Sequence, residues 1–393
     1  MPFLMGRPVL FLTMVLIILI SVYTPNAMAK PAPYDLTPKQ IREFRRDGVI
    51  VVKGMLEGEL LEDAVKAAQK IQRTTPLTQR ILYKIYPSYR NLCFQTYRRN
   101  KALKKVAFDS VAPTICAKLM GLVEEQRDER GNNNNEKKPR AMRLLKDAVM
   151  GYSRGDVGCD WHVDDKHFWP CEDTHNDEEV LDMRAKPTAF RRDAGINVWI
   201  SLSPVTAKEG GGLAVAPGTH YPSCRGMIGR LIREGRRAIG AGGSKTCLLA
   251  MLEPDSHAHM ERIKKVYDLQ PGDAIVHDRY LFHKTDEFKD VGGDNDDRGN
   301  DTEGATKQRI SLRYMPSDAT YFRKETSFDA AAAQKDLETG DPIWKAGEYF
   351  PQAWPCELEE ELNKYTKLDE NFAGAKTLAA FVSSVIKRKA GWK

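Results

Sequence analysis

Apolar residues along this chain keep first to a helical spacing and then to that of strands. LTPKQIREFRRDG, residues 36–48, reads as a helix with clear punctuation. Thr37 stands at the N-cap, Pro38 at the first helical position, and Gln40 completes a capping box. Leu36 and Ile41 are spaced for a hydrophobic staple, and Gly48 is a C-terminal stop. VIVV at 49–52 reads as a short strand. Between Glu59 and Gln72, the recurrence of Leu61, Ala64, Val65, Ala68 and Ile71 predicts a second helix. DSVAPTICAKLMG, 109–121, predicts a third.

From Ala141 to Met315 the pattern changes to short β-rich runs between glycine and proline turns. The candidates are AMRLLKDAVMGY, INVWISLSP, GLAVAPG, KTCLLAML, KKVYDL, DAIVHD, YLFHKT and RISLRYM. Strands at this spacing without alternating helices predict a sandwich or barrel, not a parallel α/β sheet. Two polar, low-complexity runs, 125–140 and 290–306, read as solvated insertions. Beyond Pro316 come aromatic loops (DPIWKAGEYFPQAWP) and a final helix at 375–388.

The N-terminus is a separate problem. Arg7, the run PVLFLTMVLIILISVY and the ending TPNAMA predict a signal peptide at 1–29, cleaved before Lys30. The alternative is a retained anchor at 8–23, near the lower limit for crossing a bilayer. The expected location is therefore the secretory pathway, in the lumen or outside the cell, with membrane contact only if the segment is retained. Residues 30–393 are expected to form one domain with its β core at about 141–315.

Charge and cysteine content remove other classes. The net charge of +6 comes from interspersed lysines, arginines and acids with no basic block, so nothing favours nucleic acid as a partner. Seven cysteines without C-x-x-C spacing argue against a zinc site, and an odd count leaves at least one unpaired within a monomer.

The chemistry lies in WHVDD, 161–165, and LFHKTDEF, 281–288. In an extended strand residues i and i+2 point the same way, so His162 and Asp164 could hold one ion together. A further histidine from downstream would complete two imidazoles and one carboxylate, the facial set of non-haem Fe(II) oxygenases. His277 and His283 both stand there. The glycines at 210–212 lack the lysine-serine pair of a phosphate loop and read as a tight turn.

Five strings in order resemble the phytanoyl-CoA dioxygenase family of 2-oxoglutarate oxygenases. They are LTPKQIREFRRDGVIVVKGMLEGELLEDA, HVDD, NVWISLSPVTAKEGGGLAVAPGTH, LQPGDAIVHDRYLFHKT and QRISLRYMP, spanning about residues 36–316. The resemblance implies an α+β chain with a mainly β core, a double-stranded β-helix (jelly roll, cupin-like) carrying N-terminal helices. It implies Fe(II), 2-oxoglutarate and O2, with His162, Asp164 and His283 as iron ligands and His277 as a supporting or packing residue. It places Arg309 on the remote carboxylate of 2-oxoglutarate, Ser311 beside it, and Trp199 and Thr285 in the same pocket. The step from His283 to Arg309 is longer than the family's, and the insertion at 290–306 accounts for the excess. Arg313 and Lys307 share the parity of Arg309 and are its rivals.

Related halogenases lack the carboxylate, so Asp164 favours hydroxylation over halogenation. The implied reaction hydroxylates a C–H bond of an unidentified small molecule or lipid, releasing succinate and CO2. The competing reading is a jelly-roll protein that binds metal or ligand without turnover, which iron binding without co-substrate affinity would favour.

Overall fold

The first helix, α1 (Pro38–Asp47), starts and stops where its residues require. The Gln40 N–H donates to Thr37 Oγ1 at 3.2 Å and the Thr37 N–H to Gln40 Oε1 at 2.9 Å, a reciprocal capping box. Gly48 closes the helix at φ 72°, and a Cβ there would lie 2.5 Å from His220 Nδ1. Glycine alone satisfies both demands. His220 thereby acquires a packing role: it covers Gly48 and hydrogen-bonds the Arg45 carbonyl through Nε2 at 3.2 Å.

The computed structural model describes residues 34–73, 92–122, 141–156, 158–163, 195–221, 248–289, 306–321 and 337–355. The chain divides into residues 1–34 and 35–393, and every described helix and strand belongs to the second unit. The leader or anchor, the insertion at 125–140, all but the last residue of that at 290–306, and the helix at 375–388 lie outside the described residues. Among the described residues no helix is long and apolar enough to cross a membrane.

After α1 come β1 (Val49–Val52), α2 (Gly58–Arg73), β2 (Leu92–Phe94), α3 (Lys101–Phe108) and α4 (Ala112–Leu119). Next are β3 (Met142–Tyr152), β4 (Ile196–Ser201), β5 (Leu213–Val215), α5 (Leu248–Leu252) and α6 (Pro254–Ile263). The series ends with β6 (Ala274–Asp278), β7 (His283–Thr285), β8 (Lys307–Pro316) and β9 (Gln352–Trp354). One antiparallel sheet runs β1-β6-β4-β8-β3-β2 with β9 also on β3, and β5 pairs with β7 in a second.

Alternation gives the large sheet two distinct faces. Tyr314 donates its hydroxyl to the Ala107 carbonyl of α3 at 2.6 Å, so the even positions of β8 face the helices. The odd positions Lys307, Arg309, Ser311 and Arg313 face the other way. There Val49, Trp199 and Ile275 of the large sheet share one buried apolar cluster with Leu213 and Val215 of the small sheet. The sheets thus meet across an interior, with the helices outside. The result is a mixed helix–strand fold around a curled antiparallel sheet.

Two predicted strands differ. KTCLLAML supplies α5 over its last residues, because leucine, alanine and methionine without β-branching favour a helix. KKVYDL makes only isolated bridges, Lys265 to Val215 and Leu269 to Val205, and two different partners prevent a ladder. The helix expected at 109–121 is α4 alone, and α3 precedes it unpredicted. The aromatic tail is more regular than expected: Ile343–Tyr349 forms 3-10 turns, and β9 joins the sheet. Trp344 points outward, half exposed. Among the described residues Cys93, Cys116 and Cys159 form no disulfide.

Asp147 sits on β3 at 1% exposure, its Oδ2 accepting from the Thr96 hydroxyl and from the Tyr97 N–H at 2.8 Å. Its Oδ1 has no hydrogen-bond partner among the described residues. Burial pushes the carboxyl up to about 6, against the pull of the Thr96 and Tyr97 bonds. A raised folded value means the contribution is intact below the ordinary value of 3.8 and is lost as pH rises through about 6. The linkage is on the order of 3 kcal/mol. Asp147→Asn is therefore expected to raise Tm at pH 7.5, with the gain vanishing near pH 4; thermal unfolding at the two pH values checks it.

Candidate functional site

His283 begins β7, and its backbone is bracketed on both sides. Val215 of β5 pairs with it on one side and His162 on the other. His162 N–H donates to the His283 carbonyl and His283 N–H to the His162 carbonyl, both at 3.0 Å. Directly opposed residues of an antiparallel pair project to the same face. The two rings consequently lie 4.3 Å apart, centroid to centroid.

Each ring is fixed in the same manner. His162 Nδ1 faces the Asp160 carbonyl at 2.6 Å, and His283 Nδ1 faces the Leu281 carbonyl at 2.9 Å. A ring nitrogen against a carbonyl must donate, which leaves the lone pair of each neutral imidazole on Nε2. That is the tautomer a metal requires, with the opposite nitrogen already held. The donor set therefore fits a divalent transition metal. Asp164 lies outside the described residues, and among those described no three His, Cys, Asp or Glu side chains form a metal cluster.

His277 approaches from the large sheet. It is 2% exposed on β6, its ring 4.7 Å from that of His283 and its Nδ1 2.9 Å from the Asp278 carbonyl. Strand register places it in one rung with Asn197 and Arg313, both facing inward.

Arg309 stands two residues from Ser311 and four from Arg313 on the same face of β8. It is 8% exposed, with its guanidinium carbon 5.2 Å from the Trp199 ring centroid and 5.7 Å from that of Tyr152. Nη1 reaches the Gly211 carbonyl at a long 3.4 Å, and Nε has no hydrogen-bond partner among the described residues. Among the described residues it makes no ion pair. Burial holds this guanidinium down at about 10, despite the opposing pull of Cys159 and Tyr152. A desolvated, under-satisfied cation of this kind fits an anionic ligand.

Lys307 is already committed, donating to Glu209 Oε2 at 3.0 Å and the Pro204 carbonyl at 2.9 Å. Ser311 is buried and paired in register with Trp199. Thr285 faces inward on β7, where its Oγ1 accepts the Cys159 N–H at 3.1 Å while its own N–H donates to the Cys159 carbonyl at 2.8 Å. Cys159 thus pairs with the Thr285 backbone beside the histidine strand.

Sequence reasoning missed Tyr152, Cys159 and the glycine turn as parts of this site. Parity along β3 carried a signal for Tyr152, whose strand register pairs it with Lys307 on the inner face. Tyr152 also stacks on Phe288, centroids 5.2 Å apart at 10°. The glycines do form a tight turn, for a stronger reason than chain reversal. Gly210 and Gly211 both have φ +82°, and a Cβ on Gly210 would meet the Glu287 carbonyl oxygen at 2.0 Å. Gly210→Ala is expected to destabilise by roughly 2–4 kcal/mol. Gly218→Ala has φ +83° but open space within 4 Å, and is expected to cost about 1–2 kcal/mol. Denaturant midpoints of the two variants test the contrast.

A family model for phytanoyl-CoA dioxygenase (PhyH) matches residues 44–289. The curated proteins contain no significant match. Among solved structures, the non-heme alpha ketoglutarate dependent carbocyclase SnoK from nogalamycin biosynthesis is similar. It shares 15% identity at TM-score 0.53, covering 83% of this chain and 99% of its own. EctD from S. alaskensis, crystallised with 2-oxoglutarate and 5-hydroxyectoine, shares 14% identity at TM-score 0.47, covering 75% of this chain and 81% of its own. The likeness to the carbocyclase is one of fold.

Proposed function

The chain belongs to the phytanoyl-CoA dioxygenase family and is a 2-oxoglutarate-dependent oxygenase working with Fe(II) and O2; from that premise we propose that His162, Asp164 and His283 hold the iron and Arg309 anchors the oxo acid. The observation that carries the reading is the backbone-locked pair of imidazoles on the same interior as a buried guanidinium lacking a counter-ion among the described residues. In this reading the two sheets are the halves of a jelly roll, and the ligands sit on its smaller half.

Iron, 2-oxoglutarate and oxygen supply the oxidising power, with succinate and CO2 released. The protein's own residues supply placement. His162 and His283 present Nε2 lone pairs, and Asp164, two positions beyond His162 in the sequence, would add the carboxylate. The Arg309 fork grips the remote carboxylate, with the Trp199 and Tyr152 rings near its guanidinium. Ser311 and Thr285 offer hydroxyls beside it. The apolar wall of Val49, Val215, Leu213 and Ile275 excludes water from the interior.

Lys307 is a poor rival because it is bound to Glu209. Arg309 is favoured over Arg313 by the two rings beside its guanidinium, Trp199 and Tyr152. The reaction is hydroxylation of a C–H bond in a small molecule or lipid, and the protein works in the secretory pathway once residues 1–29 are removed.

Turnover without substrate tests this. Mature protein with Fe(II) and 2-oxoglutarate should slowly release succinate, and Asp164→Ala should reduce release to the level of buffer. Equal succinate from the two proteins would overturn the assignment.

A further inference from the structure

We infer that Glu261 is a positioning residue for the histidine pair, clamping both histidine-bearing segments from the face opposite the rings; this rests on the metal reading above. Glu261 lies near the end of α6, whose Met260 packs in one cluster with Trp161 and Phe282. Its Oε1 accepts from Trp161 Nε1 at 2.7 Å and from Lys284 Nζ at 2.6 Å, and its Oε2 accepts from Lys264 Nζ at 2.9 Å. Trp161 immediately precedes His162, and Lys284 immediately follows His283. Alternation sends those neighbours to the side away from the rings. One carboxylate oxygen therefore bridges the same two strands that the histidines bridge inside.

The clamp is seated in an apolar bed. Trp161, Met260, Phe282 and Tyr280 form a buried cluster behind β7, and the Lys284 ammonium lies 5.4 Å from the Trp161 ring centroid. Burial would raise the Glu261 carboxyl, but the bonds from Lys284, Lys264 and Trp161 outweigh it and bring it down to about 2. The carboxylate is thus charged throughout the working pH range. Its partners are the side chains next to two proposed ligands, so its loss acts on ligand spacing. Outer residues that orient metal ligands typically contribute 10–100-fold to metal affinity.

The test uses the full mature chain and two readouts. In metal-free protein, Glu261→Ala should lose about tenfold in amide-exchange protection in the peptides spanning 160–163 and 281–285, with α1 and β3 unchanged. In anaerobic titration its Fe(II) affinity should fall 10–100-fold while the KM for 2-oxoglutarate stays within threefold. Glu261→Gln keeps an acceptor for Trp161 and should fall between. If Glu261→Ala does not fold, Trp161→Phe and Lys284→Met each delete one arm and should each show part of both effects. Unchanged protection and unchanged iron affinity in variants of an iron-binding wild type would overturn the clamp. Wild-type protein that takes up no iron would overturn the metal reading, leaving the exchange result to judge the clamp separately.

Discussion

His283→Ala should lower Fe(II) affinity by well over 100-fold and remove succinate release altogether. A residue that merely orients a ligand typically contributes 10–100-fold, and loss of a ligand exceeds that. The backbone bridge to His162 does not depend on the side chain, so the variant should fold. His277→Ala is the internal comparison. That residue touches the same ring from the large sheet at 4.7 Å, and its loss should stay within the 10–100-fold range. Anaerobic calorimetry with Fe(II) on the three proteins measures the affinities, and an aerobic succinate assay measures the turnover. Equal losses for the two variants would mean that His277 is itself a ligand.

Arg309→Ala should raise the KM for 2-oxoglutarate by a factor of about 30 to several thousand, equivalent to roughly 2–5 kcal/mol for breaking a buried charged pair. The free protein should tell a different story. There the guanidinium is desolvated, held down at about 10, and without an ion pair among the described residues. Removing it should leave Tm of the free protein unchanged or higher, and abolish the rise in Tm that 2-oxoglutarate gives the wild type. Arg309→Lys should recover little, since a point charge cannot make two parallel bonds. Arg313→Ala should change the KM less than tenfold. Steady-state kinetics and thermal shifts at several 2-oxoglutarate concentrations separate these outcomes.

Much of the frame was legible wherever one local signal sufficed. The capping box of Thr37 and Gln40, the stop at Gly48, and strands such as INVWIS and DAIVHD stand as their residues require. KTCLLAML misled because its apolar run lacks a period that separates buried helix from buried strand. Only the family resemblance put His162 and His283 on one ion; the backbone bridge that joins them had no local signal, since it links positions far apart in the chain. The two flanking rings of Arg309 and the three bonds of Glu261 are likewise products of tertiary packing. Parity left Arg313 as the main rival of Arg309, with Lys307 on the same face but offering only a point charge. Its distant partner Glu209, which no spacing announces, removes Lys307 further.

An anaerobic crystal structure with Fe(II) and 2-oxoglutarate tests most directly where the metal binds. The expected result is one iron bonded to Nε2 of His162, Nε2 of His283 and the Asp164 carboxylate, with Arg309 forked onto the far carboxylate of the oxo acid. Iron held without His162 or His283, or an oxo acid anchored on Arg313, would contradict this assignment.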